Sequence, residues 1–280
     1  MTQALADLSL QQFSNYAQAL PPSAPGMTLF CDFDGPIVDV SDRYYATYRL
    51  GLSQTHSHYR YLRQPVAIRA MSKTQFWQMK QERVPDTEIA LRSGLQGSSI
   101  DYFLDQVRHQ VNLPGLLQKD RLQPGVMWAI SLLREQGFRL VLVTLRCKSQ
   151  VQDILQHYQL EEAFEGIFGS DDADAAYLNY ADAKTQLLRQ AIAHHSFQGG
   201  TATDRLTAGS AALDRPMVSL PGWMIGDTEA DIVAAQTLGI PSIALTCGIR
   251  SQSYLTKLQP NAIHGSLLLL AHSLLRRAHQ

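Results

Sequence analysis

Apolar positions in this chain fall into short unbroken runs separated by stretches of helical periodicity. Met27 to Cys31 (MTLFC) is apolar or small throughout, has the length of a strand and stops at acidic residues. That pattern predicts a strand buried on both faces whose carboxyl end opens onto polar chemistry. Arg139 to Thr144 (RLVLVT) repeats it, as do MVSLPGWMIGD, closing on Asp227, and PSIALT, closing on Thr246. Helical patterns stand between them, for example PGVMWAISLLREQG before the second run and TEADIVAAQTLG after the third. Strands of this kind alternating with helices predict an α/β fold built on a parallel sheet.

From Asp39 to about Asp120 the period changes. Stretches such as TQFWQMKQERV and SIDYFLDQVRHQVN have helical spacing, and no clear alternating strand interrupts them. Residues 40–120 are therefore predicted to form an inserted helical domain, with 27–39 and 121–280 making the core around it. Residues 1–26 are predicted to form a short amphipathic helix and a linker, closed by the helix-ending cluster PPSAPG. The stretch HHSFQGGTATDRLTAGSAALDRP, starting at His194, is rich in Gly, Ser, Thr and Ala and is predicted to be a long, mobile surface loop. Near the far end, the apolar part of SLLLLAHSLLRRAHQ falls well short of the ~20 residues that span a bilayer and includes His272, so a packing helix is predicted.

Composition narrows the function classes. Charged residues are 18% of the chain, and 24 basic side chains stand against 25 acidic ones, a formal net charge of -1. Such a balance offers no general attraction to phosphate backbones or anionic lipid, which argues against nucleic acid and membrane surfaces as partners. The three cysteines, Cys31, Cys147 and Cys247, are odd in number and far apart, as fits a reducing, cytoplasmic compartment better than a disulfide framework. The opening residues lack the basic start and apolar core of a signal peptide.

The candidate chemistry sits at the strand ends. CDFDGPIVD puts Asp32 and Asp34 two apart after a buried strand, with Gly35 allowing a sharp turn. An isolated Asp-x-Asp is ordinarily a turn cap beside a solvated carboxylate, but three further pieces change the balance. Thr144 brings a hydroxyl to the end of RLVLVT; taken alone it is a β-favouring residue at a strand end. Lys184, in NYADAKTQLLRQAI, sits near a helix start, where a cation is poorly placed for the helix dipole, although a lone lysine is usually a solvated one. In GDTEADIVAAQTLGI, Asp227 follows Gly226 at a strand end and Asp231 lies four residues on, along the same helical face.

In this order, DFDGPIVD, VTLR, Lys184 and GDTEADIVAAQTLGIP resemble the four motifs of the haloacid-dehalogenase-like hydrolases, especially the phosphoglycolate-phosphatase-like subgroup with an inserted helical cap. The likeness runs from about Met27 to GIRSQSYLTKLQPNAIHGSLLLL. It implies a Rossmann-like parallel sheet with helices on both faces, an all-helical cap and a magnesium-dependent phosphatase acting on a small phosphomonoester. Carried over position by position, Asp32 is the nucleophile that forms an aspartyl-phosphate and Asp34 the general acid and base. Thr144 and Lys184 grip the phosphoryl group, and Gly35, Leu145 and Arg146 fall on the substrate side. Asp227 binds Mg2+ with the Asp32 carboxylate and the Asp34 carbonyl, while Asp231 binds or orients its water ligands. Pro36 departs from the Thr common in the family and removes a hydroxyl and an N–H, so the turn must be satisfied differently.

The division of labour is chemically sensible. Phosphate monoesters hydrolyse so slowly that enzymes supply accelerations of up to ~10²¹. An anionic carboxylate nears an anionic phosphate only if cations compensate the charge. The cap block carries Arg43, Arg60, Arg63, Arg69, Lys73, Lys80, Arg83 and Arg92, either a solvated surface or a means of recognising a second anionic group. Phe76, Trp77 and Met79 are expected to pack its core. Cys31 and Cys147 adjoin site residues, so a thiolate at either would make activity sensitive to oxidation, whereas buried strand cysteines are usually inert. Rival readings are a phosphomutase, which returns the phosphoryl group to a second hydroxyl, and a catalytically silent sensor of a phosphorylated ligand. Dehalogenation is disfavoured because that branch lacks the metal arrangement and a counterpart of Asp34.

Overall fold

Thr28–Cys31 form strand β1, buried along its whole length, and its side chains alternate between two separate cores. Leu29 and Cys31 turn to one and Phe30 to the other, as the two-residue period of a strand requires. The computed structural model describes residues 20–172, 175–198 and 222–278. The remaining strands are β2 (Val38–Asp39), β3 (Arg121–Leu122), β4 (Arg139–Cys147), β5 (Gly166–Ser170), β6 (Trp223–Gly226), β7 (Ser242–Leu245) and β8 (Ala262–His264).

Six of them make one sheet in the order β5-β4-β1-β6-β7-β8, with every neighbouring pair parallel. From β1 the chain builds outward through β4 to β5, then crosses to β6 on the other side and builds outward again. This reversal opens a crevice beyond the carboxyl ends of β1, β4 and β6, where open parallel sheets bind their ligands.

Helices cover both faces. The core shared by Leu29, Leu142 and Ile225 is closed by α6 (Val126–Glu135), α7 (Lys148–Tyr158) and α12 (Leu267–Ala278), through Leu133, Val151, Leu155 and Leu270. The core of Phe30, Val141, Val143 and Met224 is closed by α9 (Ala181–Gln198) and α10 (Glu229–Leu238), through Leu188, Ala191, Ala234 and Ala235. Two short helices, α8 (Ala175–Leu178) and α11 (Gln252–Lys257), lie at the crevice side and before β8.

Between β2 and β3 the chain is helical: α1 (Ser41–Tyr61), α2 (Lys73–Gln81), α3 (Asp86–Arg92), α4 (Ser98–Gln110) and α5 (Pro114–Leu117). β2 and β3 pair antiparallel, Val38 with Leu122 and Asp39 with Arg121, so the outgoing and returning chain are clamped side by side. The helices pack through aromatic rings. Tyr48 of α1 stacks on Phe76 of α2 at 4.7 Å and meets Phe103 of α4 edge-on at 6.1 Å. Phe76 and Met79 are buried in this cluster, with Trp77 against its rim.

The structure corrects the sequence reading in three places. β4 does not stop at Thr144 but continues to Cys147, which pairs with Ser170 across a register shift that follows Val143. β5 was absent from the expectation because GIFGS is an edge strand, half-exposed along its length and interrupted by glycine, and so carries no apolar run. The expected loop from His194 begins inside α9, which stays helical to Gln198. Its remainder up to residue 221, and the predicted N-terminal helix up to residue 19, lie outside the described residues. No described helix is long and apolar enough to cross a membrane.

Candidate active site

The turn after β1 is closed without any help from Pro36. Ile37 and Val38 donate their N–H groups to the Phe33 carbonyl at 3.1 and 3.0 Å, and Gly35 N–H donates to the Val38 carbonyl at 2.8 Å. A proline, which has no N–H, fits a position from which the turn draws no donor. Gly35 has φ +101° and packs so closely on Asp227 that a Cβ there would overlap the carboxylate. The Gln123 amide steadies the turn from β3's side by donating to the Gly35 carbonyl at 2.8 Å.

Around this turn Asp32, Lys184, Asp227 and Asp231 converge, all nearly or fully buried. Asp32 stands at the end of β1, where Phe33 N–H donates to its Oδ1 at 2.7 Å. Lys184, in the first turn of α9, reaches Asp32 Oδ1 at 2.9 Å and Asp231 Oδ1 at 2.7 Å. Asp231 also caps α10, its Oδ2 accepting from Thr228 N and Oγ1 at 3.1 and 2.8 Å. Asp227 Oδ2 accepts from Ile249 N at 2.6 Å, while its Oδ1 is buried with no hydrogen-bond partner among the described residues.

Three carboxylates and one ammonium share this space, and the surroundings shift Asp32, Asp227 and Lys184. Burial, with Asp231 next, pushes Asp32 up to about 7 despite the pull of Lys184. Burial and then Asp32 hold Asp227 well above the ordinary carboxylate range. Burial alone would lower Lys184, but Asp231 and Asp32 outweigh it and keep the ammonium charged. Burial, with the Asp32 charge added, raises Cys31 well above its usual value. It stays a thiol, which removes the oxidation-sensitive thiolate considered for that position.

Asp34 lies apart from this group, with its side chain 17% exposed toward the crevice. Its Oδ1 meets Arg146 Nη1 at 2.8 Å and its Oδ2 meets Arg43 Nη2 at 2.9 Å. Burial alone would raise its pKa; Arg146 and Arg43 together overcome that and lower it. Thr144 is buried, and its Oγ1 accepts from Arg146 N at 3.2 Å. Thr144, Leu145 and Arg146 all line the cavity, and the guanidinium of Arg146 is paired there with Asp34 and Asp120.

The cavity they enclose measures about 680 Å³ with its open mouth included. Its far wall is the α2–α3 segment, laid on the core by polar contacts. Ser251 N–H donates to the Gln81 carbonyl at 3.0 Å, Arg250 Nη1 donates to the Lys80 carbonyl at 3.0 Å, and Tyr177 OH donates to Asp86 Oδ2 at 2.6 Å. The other cations that reach the cavity also face carboxylates: Lys80 with Asp86 at 2.8 Å, Arg83 and Arg250 with Glu229, each at 2.7 Å. Arg60, Arg63, Arg69, Lys73 and Arg92 do not line it.

The family model for haloacid dehalogenase-like hydrolases matches residues 29–236. The chain belongs to that family. Among curated relatives, a phosphoglycolate phosphatase of Aliivibrio fischeri is 29% identical over 162 residues, covering 57% of this chain and 58% of the relative. One of Mesorhizobium japonicum is 27% identical over 164 residues, covering 59% and 57%. The chain thus spans less than two thirds of the length of these relatives. A haloacid dehalogenase-like hydrolase from Streptococcus pneumoniae superimposes with a TM-score of 0.53 at 22% identity, over 89% of this chain and 98% of that one. A protein described as a predicted phosphatase from Clostridium acetobutylicum gives 0.59 at 20% identity, over 90% and 100%. Both share the fold.

For this haloacid dehalogenase-like hydrolase, sequence reading named the residues at the strand ends and missed those that reach them from elsewhere. Asp120, Gln123, Tyr177, Glu229 and Arg250 carry no local signal, since each is an ordinary polar residue until the fold brings its partner from up to 170 positions away. Arg43 stood among the cap cations but not as a partner of Asp34.

Proposed function

We propose that this chain is a magnesium-dependent, cytoplasmic phosphatase of small phosphomonoesters that works through an aspartyl-phosphate on Asp32. The observation that carries the reading is the convergence of Asp32, Lys184, Asp227 and Asp231 at the sheet's carboxyl edge, with Asp34 beside them. The names of the phosphoglycolate phosphatase relatives support the reaction class, and the three unpaired cysteines support the compartment.

Carboxylate oxygens of Asp32, Asp227 and Asp231 lie within 4.8 Å of one another, and Asp227 Oδ1 is a buried acceptor lacking a partner. A set of hard oxygen donors fits Mg2+, with the Asp34 backbone carbonyl as a further ligand. When bound, the ion neutralises phosphate charge and orients the phosphoryl group. Lys184 adds a fixed positive charge, and the Thr144 hydroxyl donates to a phosphoryl oxygen.

The Asp32 carboxylate attacks phosphorus, the bond from phosphorus to the alcohol oxygen breaks, and Asp34, which enters the step as the carboxylic acid once the incoming phosphate charge opposes the pull of Arg43 and Arg146, hands that oxygen its proton. Water then attacks the phosphorus of the acyl phosphate. Asp34 takes the water proton back, and Asp32 and inorganic phosphate are released. Residues 40–120 act as the cap on a core of 27–39 and 121–280, and their polar contacts with Arg250, Ser251 and Tyr177 hold water out while the alcohol leaves.

The test is phosphate release from a panel of esters, 2-phosphoglycolate, sn-glycerol 3-phosphate, phosphoethanolamine and 4-nitrophenyl phosphate, with Mg2+ or EDTA. Turnover that EDTA abolishes supports the reading. Transfer of label to a second hydroxyl with no phosphate released would make the chain a mutase, and binding without turnover would make it a sensor.

The raised pKa values also fix a pH dependence. With Asp32 at about 7 and Asp227 raised, protons compete with the ion, so half-saturating Mg2+ should rise as pH falls from 7.5 to 5.5. The same sign applies to stability. A carboxyl raised from 3.8 to about 7 favours the metal-free fold fully below 3.8 and loses that contribution as pH climbs through 7. The rise in Tm on adding Mg2+ should therefore be larger at pH 7.5 than at pH 5.5, as paired calorimetric scans would reveal. An equal increment at both would contradict it.

A further inference from the structure

Asp34 belongs to a closed ring of four charges. Arg43 bridges Asp34 Oδ2 at 2.9 Å and Asp120 Oδ1 at 2.9 Å, the latter through its Nε. Arg146 bridges Asp34 Oδ1 at 2.8 Å and Asp120 Oδ2 at 2.7 Å. Two guanidiniums and two carboxylates alternate, so the ring is neutral. Arg43, Arg146 and Asp120 are all but inaccessible; Asp34, the most exposed of the four, lines the cavity together with Arg146.

The four members come from four separate segments of the chain. Asp34 follows β1, Arg43 lies in the first turn of α1, Asp120 immediately precedes β3, and Arg146 is near the end of β4. Arg43 and Asp120 thus flank the paired crossings β2 and β3, the outgoing and returning links to the helical segment. The ring is tied to both links at once.

Buried ion networks are not stabilising by default; apolar residues of similar volume often serve as well or better. What such a network does supply is direction. Each Asp34 oxygen accepts one guanidinium N–H, which fixes the carboxylate plane and leaves a lone pair on each oxygen for the cavity. Proton transfer depends on that placement, since a misplacement of about 1 Å can cost roughly 10²-fold in rate. Asp120 touches nothing in the cavity and acts as the counter-ion that lets two buried arginines face one carboxylate.

We propose that Arg43, Arg146 and Asp120 are positioning residues for Asp34, aiming its carboxylate at the leaving-group oxygen and tying that aim to the two links of the cap. This role rests on the acid and base function proposed above for Asp34. It separates substrates by leaving group. An alkyl ester needs a proton as its alkoxide departs, whereas 4-nitrophenolate leaves without one.

The experiment compares kcat and KM for 4-nitrophenyl phosphate and for the fastest alkyl ester of the panel, in wild type, Asp34→Asn, Asp120→Asn, Arg43→Gln and Arg43→Lys, with melting curves for each. General acid catalysis contributes about 10²–10⁴-fold, so Asp34→Asn should lose that much on the alkyl ester and far less on the aryl ester. Asp120→Asn and Arg43→Gln should lose about 30-fold in alkyl kcat at nearly unchanged KM, with an aryl loss about tenfold smaller. Arg43→Lys, which keeps the charge and one donor, should recover part of the alkyl rate. Where Arg43→Gln does not fold, the near-isosteric Asp120→Asn and the charge-keeping Arg43→Lys carry the same contrast. Equal losses on both esters that follow the melting temperature would make the ring merely structural and overturn the proposal while Asp34→Asn still discriminates. No discrimination by Asp34→Asn would instead remove the acid and base reading, and the ring's role with it.

Discussion

Asp32→Asn should reduce phosphate release by roughly 10⁴-fold or more while leaving the fold intact, because a neutral amide cannot form the acyl phosphate that the reaction passes through. The substitution keeps shape and keeps an oxygen for the Phe33 N–H that now donates at 2.7 Å. It removes negative charge from a buried group of three carboxylates, where burial and then Asp231 raise Asp32 to about 7. The metal-free variant should therefore melt no lower than wild type at pH 7.5, and its gain from Mg2+ should shrink with the lost ligand charge. A discontinuous phosphate assay beside a thermal melt checks both halves. Retention of more than a few per cent of wild-type turnover would move the nucleophile elsewhere.

The second large effect belongs to Lys184, and it falls on stability as well as rate. The ammonium is 1% exposed and lies 2.9 Å from Asp32 and 2.7 Å from Asp231. Lys184→Met preserves length and apolar stem but leaves those carboxylates facing each other without a counter-charge. Removing one partner of a buried ion pair costs about 3–5 kcal/mol, and for a chain of this size that corresponds to a Tm lower by roughly 10 °C. The loss should be smaller at pH 5, where protons take the place of the missing cation, and Mg2+ should restore part of it at pH 7.5. Catalytically, losing one preorganised charge near the phosphoryl group is worth about 10²–10³-fold in kcat. Chemical denaturation at the two pH values, with and without Mg2+, checks the stability term. A variant as stable as wild type at pH 7.5 would show that the carboxylates are relieved by some other group.

Much of this protein was determined by its sequence alone, for reasons that act locally. A strand buried on both faces must be apolar throughout, so MTLFC and RLVLVT announced themselves as core strands, and the acidic residues that follow them had to stand at the sheet's edge. Asp32, Asp34, Asp227 and Asp231 could be named because each sits within a few residues of such a strand end. Lys184 was marked by its place in the first turn of a helix, which the fold explains by burying it between two carboxylates.

Only the tertiary structure decided the rest. β5 is short, half-exposed and glycine-containing, and its strand character comes from pairing with β4 rather than from its own residues. Arg146 could be placed on the substrate side from its position after Thr144, but its pairing with Asp34 and Asp120 could not be read from the chain. Asp120 and Arg43 are 77 positions apart, and Asp34 is 112 from Arg146. Charge pairing over such separations leaves no periodicity in the chain. It depends on where two links of a helical insertion return to the sheet, and that is set by the packing of the whole fold.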